Sequence, residues 1–390
     1  MSAEGDDGAL SIAACLSACV AAYGVYLGLP LILGALASLY GFTNTQIGWV
    51  GSAENAGMLA GSIAVSAFGR SSNFKTLVLI GIAIAGVGDA ITIVTGTFAG
   101  FCTIRFLAGF GNGLCYSAAI ALLSRTRRAP RNFSIFIVVL VIANSLELWI
   151  IPGVVSSWGV RGLYIALGCL YLAPLALINR LPAAASTVNT SADAKSATIA
   201  IPIALPWLCL CAVVLFNVSA SALWAYAERI GASIGMSDRT VSNTLTICNL
   251  VSVTGSVFAY SLSRLWGQHR PQLAATAVMI FVFAAWSIHL SPHIFGIVIL
   301  LFFEVWSMAS VFQLSTLSNI DPTGRRVALI PGAQGLGQSL GPSIAGALLG
   351  LDFSFPQMLL SVASFAVGSF IVYGTVYAGL RRTNLAVANA

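Results

Sequence analysis

From residue 10 to residue 379 the chain alternates long apolar runs with short polar breaks. The runs fall at roughly 10–38, 46–68, 76–95, 98–123, 133–155, 160–179, 202–225, 239–262, 272–290, 294–318, 328–350 and 355–379. Each is close to the ~20 residues that a helix needs to cross the hydrocarbon core of a bilayer. Apolar positions follow one another within a run, whereas a spanning barrel strand is about 10 residues of alternating polarity. The pattern predicts an all-α membrane protein with twelve transmembrane helices.

The polar breaks are short, with one exception. Residues 181–200, LPAAASTVNTSADAKSATIA, are rich in Ala, Ser and Thr and predict a flexible linker on the inner side. It separates an N-terminal six-helix bundle, 1–180, from a C-terminal one, 201–390. The halves repeat each other at a shift of 194 positions: Gly41 meets Gly235, Asn55 meets Asn249, Gly61-Ser62 meets Gly255-Ser256, and Arg70 meets Arg264. A match at about half the chain length predicts a duplication and two pseudosymmetric bundles. One difference stands out. GSAENAGMLAGS (51–62) holds Glu54, and its counterpart LTICNLVSVTGS (245–256) holds Cys248 instead.

Composition agrees with the pattern. The chain is 58% hydrophobic and 8% charged, where a soluble domain carries about 25% charged residues. The net charge of +6 could suggest nucleic acid, but its placement points to the bilayer. With the N-terminus inside, fourteen of the eighteen lysines and arginines fall in inner connections, three (Arg161, Arg229, Arg239) in outer ones, and Arg105 within a span. This positive-inside bias predicts a multi-pass plasma-membrane protein with both termini cytoplasmic and no nucleic-acid partner. Short loops and an Ala- and Gly-rich chain point to a bacterial inner membrane. The start, MSAEGDDGAL, lacks the basic segment and cleavage site of a signal peptide. The eight cysteines all lie in predicted spans and read as small apolar packers.

Span four carries Arg105-Phe-Leu-Ala-Gly109-Phe-Gly111-Asn-Gly113. With twelve spans, a central inner linker and a 6+6 repeat, this resembles the major facilitator superfamily of secondary transporters, whose fourth-span signature is R-x-x-x-G-x-G-x-G. The motif style is similar to the proton-coupled drug and organic-solute branch. Other signatures are altered. The loop between spans two and three, Phe68-Gly69-Arg70-Ser-Ser-Asn-Phe-Lys75, lacks the family's aspartate. A pattern similar to the fifth-span antiporter motif stands in span eleven, at Gly337, Gly341, Pro342 and Gly346. The resemblance implies two bundles that rock about a central cavity lined in part by spans four and ten.

A charge at mid-bilayer costs at least about 2.5–3.5 kcal/mol, so Glu54, Asp89, Arg105, Glu147 and Glu304 must face protein or a watery cavity. Glu54 and Arg105 reach a similar depth and are expected to pair. That pair either locks helix packing or serves a proton or substrate. Glu54, Glu147 and Glu304 are candidate proton-coupling groups; Asp89 is expected to pack or hydrogen-bond. Candidate substrate-cavity residues are Tyr23, Tyr26, Arg105, Asn144, Asn217, Glu304, Gln334 and Gln338, and Arg105, Gly109, Gly111 and Gly113 form the fourth-span motif. The outer mouth of span seven holds Trp224, Tyr226, Glu228 and Arg229.

The sequence has no Walker motif, no metal-ligand spacing and no catalytic constellation. It therefore predicts a non-enzyme without cofactor or metal, driven by a proton or ion gradient. The expected function is rocker-switch transport of a small organic solute by a monomer, with efflux by antiport and uptake by symport both open. A non-transporting receptor on the same scaffold is the alternative.

Overall fold

A computed structural model describes residues 8–68, 73–124, 126, 128–181, 202, 204–267, 269–288, 291–320, 326 and 329–383. All regular structure among them is helical. The predicted linker, after Leu181, lies outside the described residues, as do Arg70 and the inner loop at Asp321–Arg325. The chain divides into two compact units, Met1–Thr190 and Ser191–Ala390.

In the first unit the helices are α1 (Ala9–Leu27), α2 (Leu29–Tyr40), α3 (Asn44–Phe68), α4 (Phe74–Val94), α5 (Phe98–Leu123), α6 (Ala129–Cys169) and α7 (Leu172–Ala176). The first span is α1 and α2 together, interrupted at Gly28, because Pro30 in the next turn has no N–H for the helical ladder. Spans five and six run together in α6. They are separated only by a corner at Gly159, with φ 63° and ψ −162°, a conformation open to glycine alone.

In the second unit they are α8 (Ala204–Ser233), α9 (Asp238–Val251), α10 (Val253–Trp266), α11 (His269–Ile288), α12 (Pro292–Ile320), α13 (Ile330–Gly350) and α14 (Phe355–Thr383). Span eight is split between α9 and α10 at Ser252. Span seven, expected to stop near 225, continues as helix to Ser233 and keeps Glu228 and Arg229 inside it. Twelve spans result, in two bundles of six. Seven helical stretches among the described residues cross a bilayer on length and apolarity alone. Others, such as α3 and α13, are diluted by Gly, Ser, Gln and Asn. On α6, Val138, Ile142, Leu146 and Trp149 recur at helical spacing and are all exposed. An exposed stripe this apolar requires lipid or protein beside it.

The duplication is visible as punctuation. Gly41 and Gly235, 194 positions apart, both take positive φ, at 67° and 81°, and both follow helix ends. Only glycine adopts that left-handed cap without strain. Two residues later Thr43 and Ser237 start the next helix. Thr43 Oγ1 accepts from the Gln46 N–H while the Gln46 side chain accepts from the Thr43 N–H, a capping box. Ser237 Oγ accepts from the Thr240 N–H. Further along, Gly61 of α3 lies against the Phe110 carbonyl of α5, and Gly255 of α10 against the Glu304 carbonyl of α12. Both members of that contact are shifted by 194, so the register holds across three spans.

Helices in a bilayer gain nothing by hiding apolar surface from lipid; close van der Waals contact and buried hydrogen bonds hold them together. The fourth-span motif supplies the contact. A Cβ at Gly109 or Gly113 would collide with the carbonyls of Glu54 and Met58 on α3, and a Cβ at Gly57 or Gly61 with those of Phe106 and Phe110 on α5. Gly111 faces the other way, 2.6 Å from the Gly81 carbonyl of α4 by its hypothetical Cβ. Thus α5 is clasped by α3 on one side and α4 on the other. In the second unit Gly337 and Gly341 of α13 make the equivalent approach to α8.

Candidate functional site

The same glycine contacts assemble a charged cluster. Gly109 presses on the Glu54 carbonyl, so the backbone of Glu54 lies one helical turn from Arg105. On the opposite flank Gly88 of α4 packs on Ala108 of α5 and carries its neighbour Asp89 toward the same arginine. Two acids from two helices thereby converge on one guanidinium.

Their geometry is close. Arg105 Nε donates to Glu54 Oε2 at 2.8 Å, and Nη2 stands 2.6 Å from the same oxygen. Arg105 Nη1 donates to Asp89 Oδ1 at 2.6 Å and to Thr92 Oγ1 at 3.4 Å. The guanidinium also lies 5.0 Å from the centre of the Tyr164 ring, within cation–π range. Asn112 Nδ2 donates to Glu54 Oε1 at 3.2 Å, and its own Oδ1 accepts from the Tyr171 hydroxyl at 2.7 Å. Exposures of Glu54, Asp89 and Arg105 are 4%, 2% and 1%. The network therefore ties α3, α4 and α5 to one another, and to Tyr171 between α6 and α7, through buried polar bonds. It holds two carboxyl groups for one cation.

Glu147 of α6 lies outside this cluster. Both its carboxyl oxygens are buried and have no hydrogen-bond partner among the described residues. The space for them is made by Gly24 of α1, whose hypothetical Cβ would come 2.9 Å from Oε1. Next to Gly24, Tyr23 meets Tyr26 edge-to-face and Tyr116 at a tilt, with ring centres 5.1 Å and 4.6 Å apart. Asn144, three residues before Glu147, is also buried.

The second unit is less charged. Glu304 Oε1 accepts from the Thr254 hydroxyl at 2.6 Å, while Oε2 is buried without a hydrogen-bond partner among the described residues. Asn217 donates to its own helix at Val213 O. Gln334 of α13 donates to Gln313 of α12 at 3.0 Å, and the buried Gln313 Nε2 has no acceptor among the described residues. Gln338 is half-buried one turn further along α13. Glu228 and Trp224 are buried within α8, and Trp224 packs on Phe303 and Trp306 of α12.

The family model described as Major Facilitator Superfamily matches residues 14–321. The chain belongs to the major facilitator superfamily. No curated protein sequence matches it. Solved structures do. A bacterial homologue of the human lysosomal transporter Spinster, inward-facing and unoccupied, aligns with TM-score 0.78 at 12% identity, over 97% of this chain and 99% of that one. A D-xylose–proton symporter aligns with TM-score 0.76 at 14% identity, over 94% and 96%. The POT family transporter PepTSo aligns with TM-score 0.75 at 12% identity, over 97% and 100%. The fold is that of a membrane-spanning transporter and not of an enzyme.

Nothing in the sequence places Asp89 on Arg105. Asp89 stands sixteen residues before it, across a turn, and neither spacing nor periodicity links them. The signal available in retrospect was the count of buried acids against one arginine, together with Gly81 and Gly88 as a small-residue face on span three. Gln313, the acceptor for Gln334, likewise has no sequence signal that marks it.

Proposed function

We propose that this chain is a proton-coupled secondary transporter that moves a small organic solute by rocker-switch alternating access. In this reading it acts as a monomer in a plasma membrane, a bacterial inner membrane, with both termini cytoplasmic and a proton or ion gradient in place of any cofactor. The observation that carries the reading is the buried cluster of two carboxyl groups on one arginine. With both acids ionised it has a net charge of −1 in a region where an unbalanced charge costs several kcal/mol. One added proton balances it. A site that is neutral with a proton and charged without one is the component a coupled transporter requires. Glu147 and Glu304 are second and third proton-coupling candidates, because a carboxylate with no donor on either oxygen, as at Glu147, or on one, as at Glu304, is costly to bury and a carboxylic acid much less so.

Superfamily membership supports the transport cycle, and the D-xylose–proton symporter shows that the fold hosts proton-coupled solute movement in another protein. Tyr23, Tyr26, Asn144, Asn217, Gln334 and Gln338 supply aromatic faces and amide groups suited to a polar organic solute. The test is flux into proteoliposomes across a panel of radiolabelled sugars, nucleosides, peptides and amphipathic drugs, with an imposed pH gradient. Accumulation against a concentration gradient, abolished by a protonophore, is the expected result. The sign of the gradient that drives it separates symport from antiport. Equal movement with and without the gradient for every transported solute would sink proton coupling.

A further inference from the structure

We propose that the spare proton of the charged cluster resides on Asp89, on the oxygen Oδ2, and that Asp89 is the group of the cluster that releases it during transport. The second half of this statement rests on the proton-coupled reading above; the first half does not.

The two acids are not equivalent. Glu54 is placed as a carboxylate. Its Oε2 receives Arg105 Nε at 2.8 Å with Nη2 at 2.6 Å, and its Oε1 receives the Asn112 amide. Both oxygens are thus occupied by donors, which is what an anion needs and what a carboxylic acid proton would disrupt. Asp89 has donors on one side only. Oδ1 receives Arg105 Nη1, and Oδ2 is buried with no partner among the described residues. A proton on Oδ2 leaves the Oδ1 contact intact, whereas on either oxygen of Glu54 it would face a donor.

Among the described residues no second cation neutralises the pair. The charged and titratable groups that meet Asp89 are Arg105 from α5, Tyr164 from α6, Tyr171 between α6 and α7 and, beyond the guanidinium, Glu54 from α3. The helix α1, which also touches α4, has no charged residue. Neutrality therefore comes from a proton. On release, in a state of the transport cycle that opens the cluster to water, the Oδ2–H bond breaks, the proton passes to that water, and the cluster becomes an Arg105 cation held between two anions.

The experiment is infrared spectroscopy of the full-length protein in liposomes with aspartate side-chain carboxyls labelled with carbon-13. Asp89 is the only buried aspartate among the described residues; Asp238 and Asp352 are exposed. At pH 7 a protonated-carboxyl band in the wild type should shift with the aspartate label and vanish in Asp89→Asn. Absence of any label-sensitive band overturns the assignment and places the proton on a glutamate. For the second half, Asp89→Asn should lose at least tenfold in pH-gradient-driven accumulation while solute counterflow persists. Wild-type accumulation by Asp89→Asn would refute Asp89 as the releasing group. If the wild type shows the labelled band yet no gradient-driven flux of any solute, the coupling reading fails, the release step fails with it, and the proton's position stands.

Discussion

Arg105 is the single basic residue that the sequence places within a span, and its position between Glu54 and Asp89 sets its energetics. Removing one partner of a buried ion pair leaves an uncompensated charge and costs about 3–5 kcal/mol. Arg105→Ala strands two acids together and is expected to lose that much or trap additional protons. Glu54→Gln leaves Asp89 as the counter-ion and costs less, about 1–3 kcal/mol for the hydrogen bonds changed. Thermal unfolding of the detergent-solubilised protein reads the difference: the midpoint should fall further for Arg105→Ala than for Glu54→Gln. The reverse order would mean that the guanidinium is not the hub. At this scale the sequence was partly legible. A glutamate and an arginine at matching depth in greasy helices advertise each other, because neither tolerates lipid alone. Asp89 was read as a packing or hydrogen-bonding residue. Its role in the cluster was hidden, because depth along a helix is written in the sequence and rotation about its axis is not.

Elements were more legible than residues. Runs of apolar positions located the spans, since the bilayer imposes their length. Interruptions were not legible: the break at Ser252 and the corner at Gly159 replace loops or continuous helix by single-residue changes of path that apolarity does not record. The glycines of span four make the sharpest test at this scale. Gly109 lies against backbone, which cannot retreat as a flexible side chain would. Gly109→Leu should therefore separate α3 from α5, pull Glu54 from Arg105 and reduce the yield of monodisperse protein several-fold. Gly86, also on a first-unit helix, has only the edge of the Tyr171 ring near it, at 3.9 Å. Gly86→Ala should be indistinguishable from wild type by size-exclusion chromatography. Similar behaviour of the two variants would argue against the interlocked α3–α5 interface.

For the whole molecule, superfamily membership was readable from span count, basic-residue placement and the fourth-span motif together, because each reports a constraint set by the membrane or by helix contact. Cargo was not readable: polar groups such as Gln334 and Asn217 satisfy helices and solutes with the same chemistry. A final expectation concerns the charges as a set. Replacing all three at once with apolar residues of similar bulk (Glu54→Met, Asp89→Leu, Arg105→Met) should give a protein at least as heat-resistant as Arg105→Ala, and near wild type. Isosteric apolar substitution of a whole buried ion group is often neutral or stabilising. Gradient-driven accumulation should disappear in that variant; if it persists, the cluster is only a brace.

The chain already contains a version of that control. The 194-residue register carries Glu54 onto Cys248, Asp89 onto Phe283 and Arg105 onto Ile299, and all three of those side chains are buried. A second copy of the same architecture, with the same glycine cap before its second span, closes over a cysteine, a phenylalanine and an isoleucine where the first holds three charges. Folding thus has an apolar solution at these positions, and one half of the molecule uses it. The other half keeps the costlier one. Any account of this protein has to explain that asymmetry by something the charges do once the helices are already in place.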